Sequence, residues 1–120
     1  YTFKYVNAYL YPSLLIKNGI ITKIKIGGMI LGVMKTVMPY KSESVQLQKD
    51  DVLVMFTDGI SEAMNKKGEE FSDESLEKIS LEMASESAEN ILKRIQSEVQ
   101  KFTDGANQSD DITLVVVKVK

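Results

Sequence analysis

Apolar and polar positions alternate in short runs near the start of the chain: Phe3, Tyr5 and Val6, then Leu14-Leu15-Ile16, then Ile20-Ile21-Thr22-Lys23-Ile24-Lys25-Ile26. A period near two, with β-branched and aromatic residues in excess, predicts strands. Asn18-Gly19 lies between the second and third runs and suits a two-residue turn with φ > 0 at both positions, which predicts a β-hairpin over residues 13 to 26. Gly27-Gly28 breaks the pattern, and residues 29–40, with Gly32 and Pro39, read as an irregular loop. A further strand is expected over 41–48, then a polar turn at Lys49-Asp50-Asp51. Val52-Leu53-Val54-Met55-Phe56 is apolar without interruption, as in a strand covered on both faces, and it stops at Thr57-Asp58-Gly59.

The period then changes. After a short segment over 60–65 whose pattern favours no element and a turn at Lys66-Lys67-Gly68, residues 73 to 83 carry Leu76, Ile79, Leu81 and Met83, with Ser72 or Asp73 as the N-cap. A second helix is expected over 87 to 102. Ala88, Ile91, Leu92, Ile95, Val99 and Phe102 mark the face it buries, and the opposite face mixes Glu89, Lys93, Arg94, Glu98 and Lys101, as a solvated face does. Residues 103–109 form a polar loop, and 112–119 read as a last strand rich in valine. The pattern is therefore α+β, with mostly antiparallel strands and two helices in one unit.

Composition narrows the chemistry. At 120 residues the chain has the size of one domain or of a piece of a larger one, and 43% hydrophobic with 27% charged residues suits a soluble, folded protein. It starts at Tyr1, without Met and directly in a strand pattern, which reads as a segment of a longer protein. Fifteen Lys and Arg against 17 Asp and Glu create no field that would favour nucleic acid or an anionic membrane. No apolar run is long enough to span a bilayer, so no membrane contact is expected of this segment. Cysteine is absent, which removes disulfides, thiolate zinc sites and cysteine nucleophiles and suits a cytoplasmic location. Histidine is absent too, so any hydrolytic chemistry must run on carboxylates, hydroxyls, lysines or metal ions. The six methionines read as adaptable packing.

Two acidic clusters stand at strand ends: Thr57-Asp58-Gly59 at the exit of the most apolar strand, and Ser109-Asp110-Asp111 at the entrance of the last one. If these strands pair as antiparallel neighbours, both clusters lie at one edge of the sheet. Carboxylates meeting there suit Mg²⁺ or Mn²⁺, which prefer oxygen ligands and generate a nucleophilic hydroxide without a histidine base. Gly59 is expected to permit a sharp turn that aims Asp58 out of the sheet. Taken singly, Asp-Gly after a strand and Asp-Asp before one are more often an ordinary turn and a solvated cap than a metal site.

Five ordered blocks together resemble a family. Val54-Met55-Phe56-Thr57-Asp58-Gly59-Ile60-Ser61-Glu62-Ala63 resembles the TDG(V/I)xEA block of SpoIIE/RsbU-type phosphatases, in the PP2C superfamily, and Ser109-Asp110-Asp111-Ile112-Thr113-Leu114-Val115-Val116 resembles their closing DDITLLV strand. Tyr5-Val6-Asn7-Ala8 with Pro12-Ser13-Leu14-Leu15-Ile16 is similar to their YVNAGHNPPLLI hairpin, Met29-Ile30-Leu31-Gly32-Val33 to their PLGV segment, and Gly68-Glu69-Glu70-Phe71 to their GEEFG turn. The resemblance implies a PP2C-like β-sandwich flanked by helices, of which residues 1–120 are the C-terminal half. It also implies a binuclear Mn²⁺ or Mg²⁺ centre that hydrolyses phosphoserine or phosphothreonine, with Asp58 and Asp110 as metal ligands and Asp111 in reserve. The implied partner is a phosphorylated anti-sigma-factor antagonist in bacterial signalling.

The chain departs from that pattern in places. Gly-His-Asn is replaced by Tyr9-Leu10-Tyr11, the glycine before the strand leading to Asp58 is Asp51, read as a tolerated turn change, and the glycine after Glu-Glu-Phe is Ser72. The aspartate that bridges the two metals in the family would precede Tyr1, so these residues alone are expected to be a weak or inactive catalyst. A non-catalytic phosphatase-like module that binds a partner is the alternative, and self-association through an open sheet edge is a third expectation.

Overall fold

The computed structural model describes residues 1–8, 11–25, 28, 32, 35, 39–108 and 110–120. The expected loop over 29–40 lies largely outside the described residues, as do Tyr9, Leu10 and Ser109. In chain order the elements are β1 Thr2–Tyr5, β2 Ser13–Lys17, β3 Ile20–Ile24, β4 Glu43–Gln46, β5 Val52–Phe56, α1 Asp58–Ser61, α2 Asp73–Glu82, α3 Ala88–Thr103 and β6 Leu114–Lys118. The hairpin forms as the Asn18-Gly19 pair demands: φ is +49° and +74° at the two turn residues, and Lys17 pairs with Ile20.

Strands β3, β2, β5 and β6 make one antiparallel sheet in that order, and β1 pairs with β4 in a separate ribbon. Side-chain alternation divides the core between the two faces of the sheet. Leu14, Ile16, Val52, Val54 and Phe56 meet Ile60, Leu76, Ile91, Ile95 and Val99 from the helical layer. On the other face Leu15 and Leu53 join Ile24 and Leu47, with Phe3, Tyr5 and Val45 of the ribbon packed against them. Strand β5 therefore has apolar partners on both sides, which accounts for its lack of alternation. Each of its fully buried side chains contributes about 1.5–3 kcal/mol relative to exposure. The ribbon covers this second face incompletely, since Val115 and Val117 of β6 remain 45% and 39% exposed.

The helices follow their patterns. Ile91, Ile95 and Val99 of α3 are buried, while Glu89 with Lys93 and Arg94 with Glu98 pair along its solvated side. Ser87 caps α3 by accepting the Asn90 N–H at 3.2 Å. Lys23 of β3 ties to Glu77 of α2 at 2.6 Å, and that bond holds the lysine pKa above its ordinary value.

Asp51 does more than turn the chain. It is buried, its Oδ2 accepts the Gln48 N–H at 2.8 Å, and Lys17 Nζ lies 3.3 Å from the same oxygen. Its carbonyl accepts the N–H of Val119, one residue past β6, at 2.9 Å. The φ of Asp51 is not positive, so the position does not require glycine; the positive φ of this turn, +71°, falls on Asp50.

Ser72 is the N-cap of α2, with φ +74° and ψ 155°. That backbone region is nearly exclusive to glycine and costs a serine about 1–3 kcal/mol. Its capping bond to Ser75 N–H is long, at 3.4 Å, and replacing a serine cap with glycine costs only a few tenths of a kcal/mol. Ser72→Gly is accordingly expected to raise stability by about 1 kcal/mol in urea unfolding; a loss of stability would mean that the cap outweighs the backbone strain.

Candidate metal centre

β5 pairs with β6 from Val52↔Lys118 through Phe56↔Leu114. The exit of one strand and the entrance of the other therefore lie side by side, as the antiparallel condition requires. Beyond that last pair the chains remain in contact. Thr57 N–H donates to the Thr113 carbonyl at 3.1 Å, and the Thr57 hydroxyl both accepts the Thr113 N–H at 3.1 Å and donates to the Asp111 carbonyl at 3.1 Å.

Asp58 opens α1, a single turn closed by Glu62 N–H on the Asp58 carbonyl at 2.8 Å. The sequence pattern alone had no helix there, because one turn is too short to show a period and is held by tertiary packing, here the burial of Ile60 and Ala63. Gly59 has a role different from the one expected of it. It lies within α1 and is not among the glycines with positive φ. Its lack of a side chain instead permits close approach: a Cβ there would stand 2.4 Å from the Asp111 carbonyl oxygen and 3.3 Å from that of Asp110. The backbone that carries Asp58 is packed directly on the backbone that carries Asp110 and Asp111.

The three aspartates differ in surroundings. Asp58 is half-buried, whereas Asp110 and Asp111 are exposed. Asp110 Oδ1 accepts the Asp111 N–H at 2.7 Å, and Gln108 Nε2 donates to the Asp110 carbonyl at 2.6 Å, so the turn at 110 is stiffened on both sides. Among the described residues none of the three forms an ion pair with a lysine or arginine. Nor, among the described residues, do three carboxylates gather into a cluster able to hold an ion by themselves. The donors are thus hard oxygens on adjoining turns, unneutralised by cations and too few to close a coordination sphere. Such a set fits one side of a Mg²⁺ or Mn²⁺ site completed by further ligands.

Thr57 and Gly59 were legible only as turn residues. Their contacts cross more than fifty positions of chain, and the sole local hint was a β-branched hydroxyl and a residue without Cβ flanking an aspartate at a strand exit.

Comparison with known proteins bears on this arrangement. The family model described as stage II sporulation protein E (SpoIIE) matches residues 1–120. Phosphoserine phosphatase RsbU of Bacillus subtilis (strain 168) is 32% identical over 94 residues, which cover 78% of this chain and 27% of RsbU. The solved PP2C phosphatase domain of SpoIIE from Bacillus subtilis, with a fragment of its regulatory domain, superposes with a TM-score of 0.75 at 24% identity, over 98% of this chain and 34% of that one. The SiaA PP2C domain of Pseudomonas aeruginosa gives a TM-score of 0.80 at 16% identity, over 94% of this chain and 44% of that one. The fold is that of PP2C phosphatase domains, and the chain spans less than half the length of each of these three proteins.

Because a methyl group at position 59 would collide with backbone rather than with a flexible side chain, Gly59→Ala is expected to cost about 1–3 kcal/mol in urea unfolding. A change below about 0.5 kcal/mol, the range of inert surface substitutions, would show that the two turns are not in contact.

Proposed function

The chain belongs to the SpoIIE family, and from that membership we propose that it supplies the C-terminal portion of a metal-dependent protein serine/threonine phosphatase domain. The observation that carries this reading is the contact of the Asp58-Gly59 turn with the Asp110-Asp111 backbone, which leaves oxygen donors from two sequence-distant turns at one sheet edge. Asp58 and Asp110 would hold the ion, and Asp111 is the neighbouring candidate. When bound, Mn²⁺ or Mg²⁺ supplies the Lewis acidity that lets water attack phosphorus at neutral pH without a histidine base, in keeping with a chain that has none.

The residues themselves have separable tasks. Asp58 presents its carboxylate from a helical turn anchored by Ile60 in the core, and Asp110 presents its own from a turn closed by its Oδ1 on Asp111 N–H. With these donors alone the remaining coordination positions fall to water, so this chain by itself holds the ion weakly. The uncovered face of β6, where Val115 and Val117 are exposed, is consistent with a sandwich whose second layer is completed by further strands or by a second copy. The similarity to RsbU, a phosphoserine phosphatase, supports phosphoserine as the group hydrolysed; we extend this to a phosphoprotein of the anti-sigma-factor antagonist type, in the cytoplasm. Among the described residues no helix is long and apolar enough to cross a membrane.

Manganese titration followed by electron paramagnetic resonance tests the assignment. The chain is expected to bind Mn²⁺ weakly, and Asp58→Asn or Asp110→Asn to lower the affinity further by about tenfold or more, since each removes a charged oxygen ligand. An identical Mn²⁺ response in wild type and both variants would leave a non-catalytic, phosphatase-like module instead. Turnover of a phosphoserine peptide by these 120 residues alone should be slow; robust metal-stimulated hydrolysis would contradict the division of ligands.

A further inference from the structure

The Thr57 hydroxyl occupies a place that the backbone vacates. In an antiparallel ladder a hydrogen-bonded pair exchanges two bonds, so Thr57 N–H on the Thr113 carbonyl should be answered by Thr113 N–H on the Thr57 carbonyl. It is not: the Thr57 carbonyl accepts from Ile60 N–H at 3.2 Å and begins α1. Turning β5 into α1 thus removes the ladder acceptor of the Thr113 donor, at an exposed junction where water would otherwise serve it. The Thr57 side chain meets the need, accepting from Thr113 N–H at 3.1 Å while its own proton goes to the Asp111 carbonyl at 3.1 Å. A hydroxyl donates one bond and accepts more, and both capacities are used across the same junction.

We propose that Thr57 is the positioning residue of the acidic edge: its hydroxyl locks the Asp110-Asp111 turn to the turn that presents Asp58, and so sets metal affinity without itself being a ligand. The proposal rests on the assignment of Asp58 and Asp110 as ligands. Its physical content is that two carboxylates on separate turns bind one ion well only when their spacing is fixed before the ion arrives. Gly59 brings the turns together by offering no Cβ, and the ladder fixes residues 57 and 113, but the 110–111 turn lies beyond the last ladder bond. The two bonds through one oxygen, to residues 111 and 113, tie that turn to the end of the ladder. The hydroxyl lies one residue before Asp58 and donates to the carbonyl one residue after Asp110, so that bond couples the two acidic turns most closely.

The test compares Thr57→Val, which keeps the shape and removes the hydroxyl, Thr57→Ser, which keeps the hydroxyl and removes the methyl, and Thr57→Ala, which removes both. Mn²⁺ affinity is read by electron paramagnetic resonance on the 120-residue chain, with thermal unfolding of the metal-free protein in parallel. Thr57→Val and Thr57→Ala are expected to weaken Mn²⁺ binding by about 10- to 100-fold, as loss of a partner that orients a ligand does, and Thr57→Ser to stay within about threefold of wild type. If Thr57→Val unfolds, the contrast between Thr57→Ala and Thr57→Ser carries the same information. Lower thermal stability with unchanged Mn²⁺ affinity would overturn the proposal, because a purely structural role predicts that. Equal losses in Thr57→Ser and Thr57→Ala would overturn it as well, assigning the effect to the methyl group. Asp58→Asn distinguishes the two levels of inference: if it leaves Mn²⁺ binding intact the ligand assignment fails, whereas if it abolishes binding and Thr57→Val does not, only the positioning role fails.

Discussion

The pairing of β5 with β6 is the constraint on which the rest of the structure depends. β5 is buried on both faces and lies between β2 and β6, so both halves of the core are built on it, and a slip of one residue would exchange the side chains packed into the two halves. That fixed register delivers residues 57 and 113 to the same point at the sheet edge. The acidic turns sit where the ladder ends, on backbone that the core has already immobilised, and this is how a small domain can place functional groups on short turns without losing precision.

The edge is also where regular structure gives way: two substitutes for the ladder maintain contact there, and a third stiffens one of the turns. A hydroxyl replaces a carbonyl at Thr57, a missing Cβ allows backbone to touch backbone at Gly59, and the Asp110 carboxylate takes up the next N–H. Each satisfies or shortens something that a plain turn would leave to water. At the opposite end of β5, Asp51 does the corresponding work by receiving Gln48 N–H and Lys17. Strand β5 is thus secured at both ends by side chains that a pattern of hydrophobicity does not register.

Much of the fold was legible because its signals were local. Asn18-Gly19 announced the hairpin, the unbroken run from Val52 announced a strand covered on both faces, and Ile91, Ile95 and Val99 announced the buried face of α3. The proximity of the acidic clusters followed from a single conditional about strand pairing, and the pairing holds. What escaped was decided at long range or by tertiary packing: α1 is one turn held by Ile60, Gly59 is selected by a neighbour more than fifty residues away, and Asp51 is a buried, partnered carboxylate. Ser72 shows the converse, since a serine stands in a backbone conformation suited to glycine and local propensity alone would not place it there.

The most direct measurement of the central claim is paramagnetic broadening of backbone amide signals by substoichiometric Mn²⁺. If one ion is shared by the two turns, the amides of Gly59, Ile60, Asp111 and Ile112 lose intensity together and first, while those of α2 and the Asn18-Gly19 turn stay sharp. Broadening of one turn without the other, or uniform broadening over the acidic surface, would contradict a common site at the end of β5 and β6.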